Sequence, residues 1–344
     1  MRARAFEFAR KGPTVNGMRI ALRRFLRWPI RQTASAILTF SALCVVAACG
    51  HSPQAAQIAP VPPLQLLGQW GQSGTQPGQF QNLQAITCDA VGNVYIADDG
   101  KPARVEKFDA TGHPLLVFGV SAGQNDSDIG VDPGNAIFIV DRRHGQVQIY
   151  SPEGEPFRTL FFRYRRDFHD PSSIAIDLDG NFYLADFLTG RVAYMNPAGR
   201  SLRTWTKPRG IDGRWTPFPI RLAVDGNLYV ADAAAQRVEK ISPDGRYVAS
   251  WNFPFTVIEP SLDAPKNTGL TMFRDLIAAS DGAKRLLEIW NRDGQPKLTV
   301  DFSQHPEWGE HASPTDIAFA PTGDLFVLDR PDSRVLRFKV NIPQ

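Results

Sequence analysis

The side chains with the most evident chemistry fall in two short stretches. One, Ser303-Gln-His305-Pro-Glu307-Trp-Gly-Glu310-His311-Ala-Ser313, offers two imidazoles and two carboxylates, the donor types that complete a transition-metal shell. His305, Glu307, Glu310 and His311 match no compact ligand spacing, and the same residue types also fit a solvated loop. The expectation is therefore no resident cofactor, with a divalent metal as the alternative that these four residues would hold. The other stretch gathers cations: Arg142, Arg143 and His144 follow Asp141, and Arg163, Arg165, Arg166 and His169 crowd the segment before Pro171. Guanidinium forks at this density would dock a phosphate, a carboxylate or an anionic glycan, unless Asp167 and Asp170 pair with them internally. No Ser-His-Asp order, paired-carboxylate spacing or phosphate-cradling glycine loop stands out, so binding is expected ahead of catalysis.

Six repeated units position these stretches. An apolar run ends in aspartate at Asp98, Asp141, Asp186, Asp232, Asp281 and Asp329, at intervals of 43 to 49 residues, the period of a propeller blade. The third copy is the clearest: Pro171-Ser-Ser-Ile-Ala-Ile-Asp-Leu-Asp-Gly180-Asn-Phe-Tyr-Leu-Ala-Asp186, then Arg191 to Asn196, a Pro197-Ala-Gly199 turn, and Leu202 to Trp205. Strand-sized runs separated by Asp-Gly-Asn and Pro-x-Gly turns read as a four-stranded antiparallel meander. One such meander cannot cover both its faces, so six are expected to close around a channel as an all-β, six-bladed β-propeller. The last copy ends after its third strand, Arg334–Val340, while the strand Leu64–Trp70 precedes the first copy. The N-terminal strand is therefore expected to complete the last blade and close the ring. The repeated aspartates read as caps of local turns rather than calcium ligands.

This architecture puts the loops that lead into the innermost strands on the same face as the loops joining second and third strands. Both cationic segments belong to that face. Repeat alignment also places Asp128, Ser173, Arg221 and Asp316 at the channel mouth, polar and mixed in sign as a binding funnel would be. The first turn differs among copies: one residue longer in the second, two shorter in the fourth at Val224-Asp-Gly226, and replaced by Phe273-Arg-Asp275 in the fifth.

The Gly-Asn-x-Tyr-x-Ala-Asp core of copies one, three and four, with Gly68-Gln-Trp-Gly71 and Gly78-Gln-Phe80 before the first, resembles the NHL repeat across residues 62 to 340. No Gly-His or Trp-Asp pair marks the blades as WD-type. The resemblance implies a binding or scaffolding propeller for a protein, peptide or envelope glycan. It also implies an alternative, a metal-dependent enzyme of lyase or lactonase type with a site at the channel mouth.

Residues 33–48 form an uncharged apolar run behind Arg19, Arg23, Arg24, Arg27 and Arg31, the shape of a signal peptide. Val46-Ala-Ala-Cys49-Gly50 resembles a bacterial lipobox, which implies that Cys49 is acylated as the first residue of the mature protein. The expected organisation is a signal peptide over 1–48, with Met18 as an alternative start, a lipidated Pro-rich tether over 49–61, and the propeller over 62–344. The expected address is the bacterial cell envelope, lipid-anchored and facing the periplasm from the outer membrane. Residues 1–48 carry nine Lys or Arg and one Glu, so of the net charge of +3 the remainder holds about −5. The basic balance thus resides in the removed segment and gives no support to nucleic-acid binding. Of the three cysteines, Cys44 leaves with the signal and Cys49 takes the lipid, leaving Cys88 as a small apolar core residue.

Overall fold

The computed structural model describes residues 61–120, 127–162, 171–186, 188–208, 210–211, 215, 217–222, 226–256 and 267–342, with the backbone alone at 127 and 218–222. The expected signal peptide and most of the tether lie outside these residues. The described residues form six four-stranded antiparallel sheets, the blades of a β-propeller. The innermost strands are Leu83–Cys88, Ser127–Val131, Pro171–Ile176, Pro217–Leu222, Thr268–Phe273 and Pro314–Phe319. Each packs beside the next, and the sixth packs beside the first. In the sixth sheet the outermost strand is Leu64–Trp70, antiparallel to Arg334–Val340, with Leu64 opposite Val340 and Trp70 opposite Val335.

Burial follows position in the blade. The second strands of blades one to five, such as Val94–Asp98, Phe182–Asp186 and Leu228–Asp232, are buried at every residue because a neighbouring sheet covers each face, and in blade six only Asp324 is half-buried. Outer strands such as Ser201–Trp205 are largely exposed. The core is therefore divided among the blade junctions. Between blades two and three, for example, Phe138, Val140 and Ile149 meet Ile174, Phe182 and Leu184.

A second interlock recurs at the rim. Trp70, Phe118, Leu160, Trp205 and Trp251, all on outer strands, lie against Gly112, Gly154, Gly199, Gly245 and Gly294, each in the last turn of the following blade. At Gly112 a Cβ would sit 2.6 Å from the Trp70 ring, and at Gly245 it would sit 3.0 Å from Trp205. Both glycines also have φ near +80 to +90°, a region that a Cβ disfavours. Glycine therefore serves two purposes at these turns: it reverses the chain, and it leaves room for the preceding blade's large side chain. Trp70 occupies the same place for blade six as the corresponding side chains do for blades one to four.

The first turns differ less than expected. The inner and second strands of blades one, two and three are separated by the same five residues, and the strand ends Leu222 and Leu228 leave five in blade four. Blade two has no extra residue and blade four is not shortened; Pro133-Gly134-Asn135 only moves the glycine within a turn of equal length. Blade five is the real departure, with Phe273 directly opposite Leu276.

Candidate functional site

At the end of the channel where second strands finish, all six repeated aspartates are buried. Four accept a hydrogen bond from the backbone N–H three residues on: His144 to Asp141 at 3.0 Å, Thr189 to Asp186 at 2.9 Å, Ala235 to Asp232 at 3.3 Å and Lys284 to Asp281 at 2.9 Å. Asp98 and Asp329 instead take N–H groups from the loop leading into their own inner strand, Asn82 at 2.6 Å and Ser313 at 3.0 Å. The aspartates are thus turn and loop caps, satisfying donors that burial would otherwise orphan.

Asp128, Ser173 and Asp316 sit at one level, opposite Val140, Ala185 and Leu328, the residues before three of the repeated aspartates, but all three are fully buried, which corrects their expected place in an open binding funnel. Asp128 reaches across a blade junction to the Ser173 hydroxyl at 2.6 Å and the Ile174 N–H at 3.0 Å. Asp316 makes the equivalent reach to the Ile86 N–H at 3.1 Å. The free edge of an innermost strand has no ladder partner, so these carboxylates supply acceptors that a neighbouring strand cannot. Arg221 does not belong to this level. It lies opposite Tyr229, two residues further along: blade four keeps the register of blades three and six, with Ile220 opposite Val230 as Ile174 is opposite Leu184, so Pro219 holds the place of Ser173.

The cationic segment is only partly at the surface. Arg142 is 4 % exposed and engaged within the protein, which corrects its expected place in an open dock. Its neighbour Arg143 is exposed. The His144 ring, with its side chain 48 % exposed, is held by Nδ1 at 2.8 Å from Asp141, which also accepts from Gln146 Nε2 at 2.8 Å. Arg165, Arg166 and His169 lie outside the described residues.

The blade-six loop is built on aromatic packing. Two single 3-10 turns, Phe302–Gln304 and Pro306–Trp308, bury Phe302 and Trp308, and Trp308 meets the Phe338 ring edge-on at 4.8 Å. The His305 ring stacks on Trp308 at 3.9 Å, and its Nδ1 lies 2.8 Å from Glu307. That hydrogen bond holds the Glu307 carboxyl below its usual range. Among the described residues no three His, Cys, Asp or Glu side chains converge as metal ligands, so His305 and Glu307 meet but Glu310 and His311 do not complete a shell.

No protein-family model and no curated protein sequence matches the chain. Solved structures do. A streptogramin B lyase structure aligns with a TM-score of 0.58 and 14 % identity over 81 % of this chain and 98 % of the lyase. A structural genomics protein of unknown function from Bacteroides thetaiotaomicron aligns at 0.57 and 15 %, over 80 % of this chain and 75 % of that one. A chain of a nidogen–laminin complex aligns at 0.50 and 16 %, over 69 % and 92 %. What is shared is the fold.

The structure adds one group of residues that the spacing arguments passed over. Arg104 lies 3.3 Å from Asp98 and 2.9 Å from Glu106, and Arg237 lies 2.6 Å from Glu239, with both glutamates fully buried. Burial first, and Asp232 second, raise the Glu239 carboxyl to about 7 against the pull of Arg237. Glu106 is also raised, by burial, although the Gly78 N–H and Arg104 oppose the shift. The sequence does carry a signal for these groups: Arg-Val-Glu recurs six residues after Asp98 and five after Asp232.

Proposed function

We propose that the protein is a lipid-anchored, NHL-type envelope propeller that binds an anionic protein, peptide or glycan on the face formed by its second-to-third-strand loops. One observation carries this reading. Arg143 and His144 are exposed in a second-to-third-strand loop, and the segment with Arg163, Arg165 and Arg166 leads into an innermost strand, the loop class expected on the same face, in a chain whose residues after 48 hold a net charge of about −5. Cations set on an acidic background steer an anionic partner to one face.

The test is a pull-down from envelope extract with wild type and an Arg143→Ala/Arg165→Ala/Arg166→Ala variant. Partner recovery should fall in the variant, and for wild type it should fall as salt rises. Recovery of the same partners in all four conditions removes the site from this face. The anchor is tested by Cys49→Ser, which should leave the protein soluble and unlabelled by fatty acid. Trace-metal analysis separates the alternative: a stoichiometric divalent ion in the purified protein would favour a lyase- or lactonase-type enzyme.

A further inference from the structure

At the opposite end of the channel, where the innermost strands finish, lies a cavity of about 600 Å³ shared by blades five, six and one. Its origin is the shortened turn of blade five. In blades one and six the first turn spans five residues closed by a backbone hydrogen bond, Asp89 N–H to Asn93 at 3.0 Å and Ala320 N–H to Asp324 at 2.9 Å. In blade five Phe273 pairs with Leu276 and the turn spans four residues, with only Arg274 and Asp275 between the paired ends. The shortened turn leaves a gap floored by Met272, Phe273, Phe319 and the half-buried Cys88.

The floor is fixed before any ligand arrives. The Phe273 and Phe319 rings pack at 5.8 Å, and Gly323 in blade six lies so close to Phe273 that a Cβ there would be 2.8 Å from the ring. Arg292 donates to the Arg274 carbonyl oxygen at 3.1 Å and 2.7 Å, which holds the short turn in place.

The charges in the walls differ in how far they are committed. Asp89 accepts from the Val91 and Asn93 N–H groups, the Asn93 amide and the Tyr95 hydroxyl, with Lys107 at 3.8 Å, so its charge is balanced in place. Arg292 lies 3.5 Å from Asp275. The Arg274 guanidinium lies over the Phe273 ring at 5.0 Å and forms no ion pair among the described residues. One uncommitted guanidinium above an apolar floor suits one anionic group attached to an apolar body, and the volume falls in the small-molecule range.

We propose that this cavity binds a small organic monoacid, its carboxylate on Arg274 and its apolar body on Phe273, Phe319 and Met272. This site is independent of the basic face at the other end of the channel. Arg274 has φ of +51°, where asparagine is better tolerated, so Arg274→Asn removes the guanidinium without straining the turn.

Fluorine NMR titration of the full-length protein with para-fluorobenzoate and with para-fluorobenzyl alcohol tests the assignment. The acid should bind wild type about tenfold more tightly than the alcohol, the scale of one charge-assisted bidentate contact. Arg274→Asn should erase that preference with an unchanged melting temperature, Phe273→Ala should weaken both compounds, and Arg143→Ala should alter neither. Equal affinity for acid and alcohol, retention of the preference in Arg274→Asn, or no binding of either compound at millimolar concentration would overturn the proposal.

Discussion

The two ends of the channel follow opposite rules. At the end carrying the six aspartates, each blade repeats one solution, a buried carboxylate that caps its own loops, and variation is confined to what is added outside it. At the other end, the turns of most blades share one length and blade five breaks it, opening the cavity beside Arg274. The contrast teaches that repetition here marks groups the fold consumes, whereas a local departure leaves side chains that the fold does not use. Asp98 is tied to two backbone donors and a guanidinium, while the Arg274 guanidinium meets only a neighbouring ring among the described residues.

Both ends of the propeller stand on the same closed frame. Deleting residues 62–71 strips the outer strand from blade six together with Trp70, which packs against Phe326 and the Gly112 turn. We expect the melting temperature to fall by roughly 10 °C or more, and deletion of 50–61 to leave it nearly unchanged. Equal melting temperatures for the two truncations would show that the N-terminal strand does not hold the ring.

Single substitutions then contrast the ends directly. Asp98→Ala leaves Arg104 and the loop N–H groups without their buried acceptor and should cost about 3 to 5 kcal/mol in denaturant unfolding. A loss below about 1 kcal/mol would mean that water replaces the cap and that the repeated aspartates are not structural. Gly245→Ala tests the rim interlock, because a methyl group there meets Trp205 at 3.0 Å on a left-handed backbone. A cost of about 1 to 3 kcal/mol is expected.

A pH experiment sharpens the picture of the buried glutamates. Glu239 titrates near 7 in the folded chain, from 4.5 as a free side chain, so the fold favours its protonated form. Its contribution to stability is complete below about 4.5 and is lost as pH rises through 7. Asp329, raised to about 6 by burial, acts in the same direction from a starting value of 3.8. Glu239→Gln should therefore flatten the decline of unfolding free energy between about pH 4.5 and 7; an unaltered profile would assign that decline to other groups. The smallest effect is expected from Arg143→Ala, under about 0.5 kcal/mol in stability, since the side chain is exposed. A larger loss would show that the basic loop, like Arg142, serves the fold.

The sequence was most legible where structure depends on residues close along the chain. The aspartate caps were readable because donor and acceptor lie three residues apart in four blades, and turn chemistry operates at that range. Alignment of repeats also placed Asp128, Ser173 and Asp316 at one level. It failed for Arg221, which stands 11 residues before Asp232 where Asp128, Ser173 and Asp316 stand 13 before their aspartates, so that Pro219 is the equivalent residue in blade four. Arg142 and Arg143 are adjacent and identical in type, yet one is buried and the other exposed. Only the neighbouring loops distinguish them.

From sequence alone follow the blade period, the number of blades, the strand-and-turn grammar and the apolar second strands, because turn chemistry and strand-length apolar runs are local to each repeat and the copies can be counted along the chain. The tertiary structure decided what one repeat does to the next: the Trp205–Gly245 interlock, the reach of Asp128 to Ile174 and of Asp316 to Ile86, and the cavity left by blade five's short turn. These contacts join side chains some 40 or more residues apart, and their geometry is set by how closely adjacent sheets pack, a quantity that no single repeat encodes.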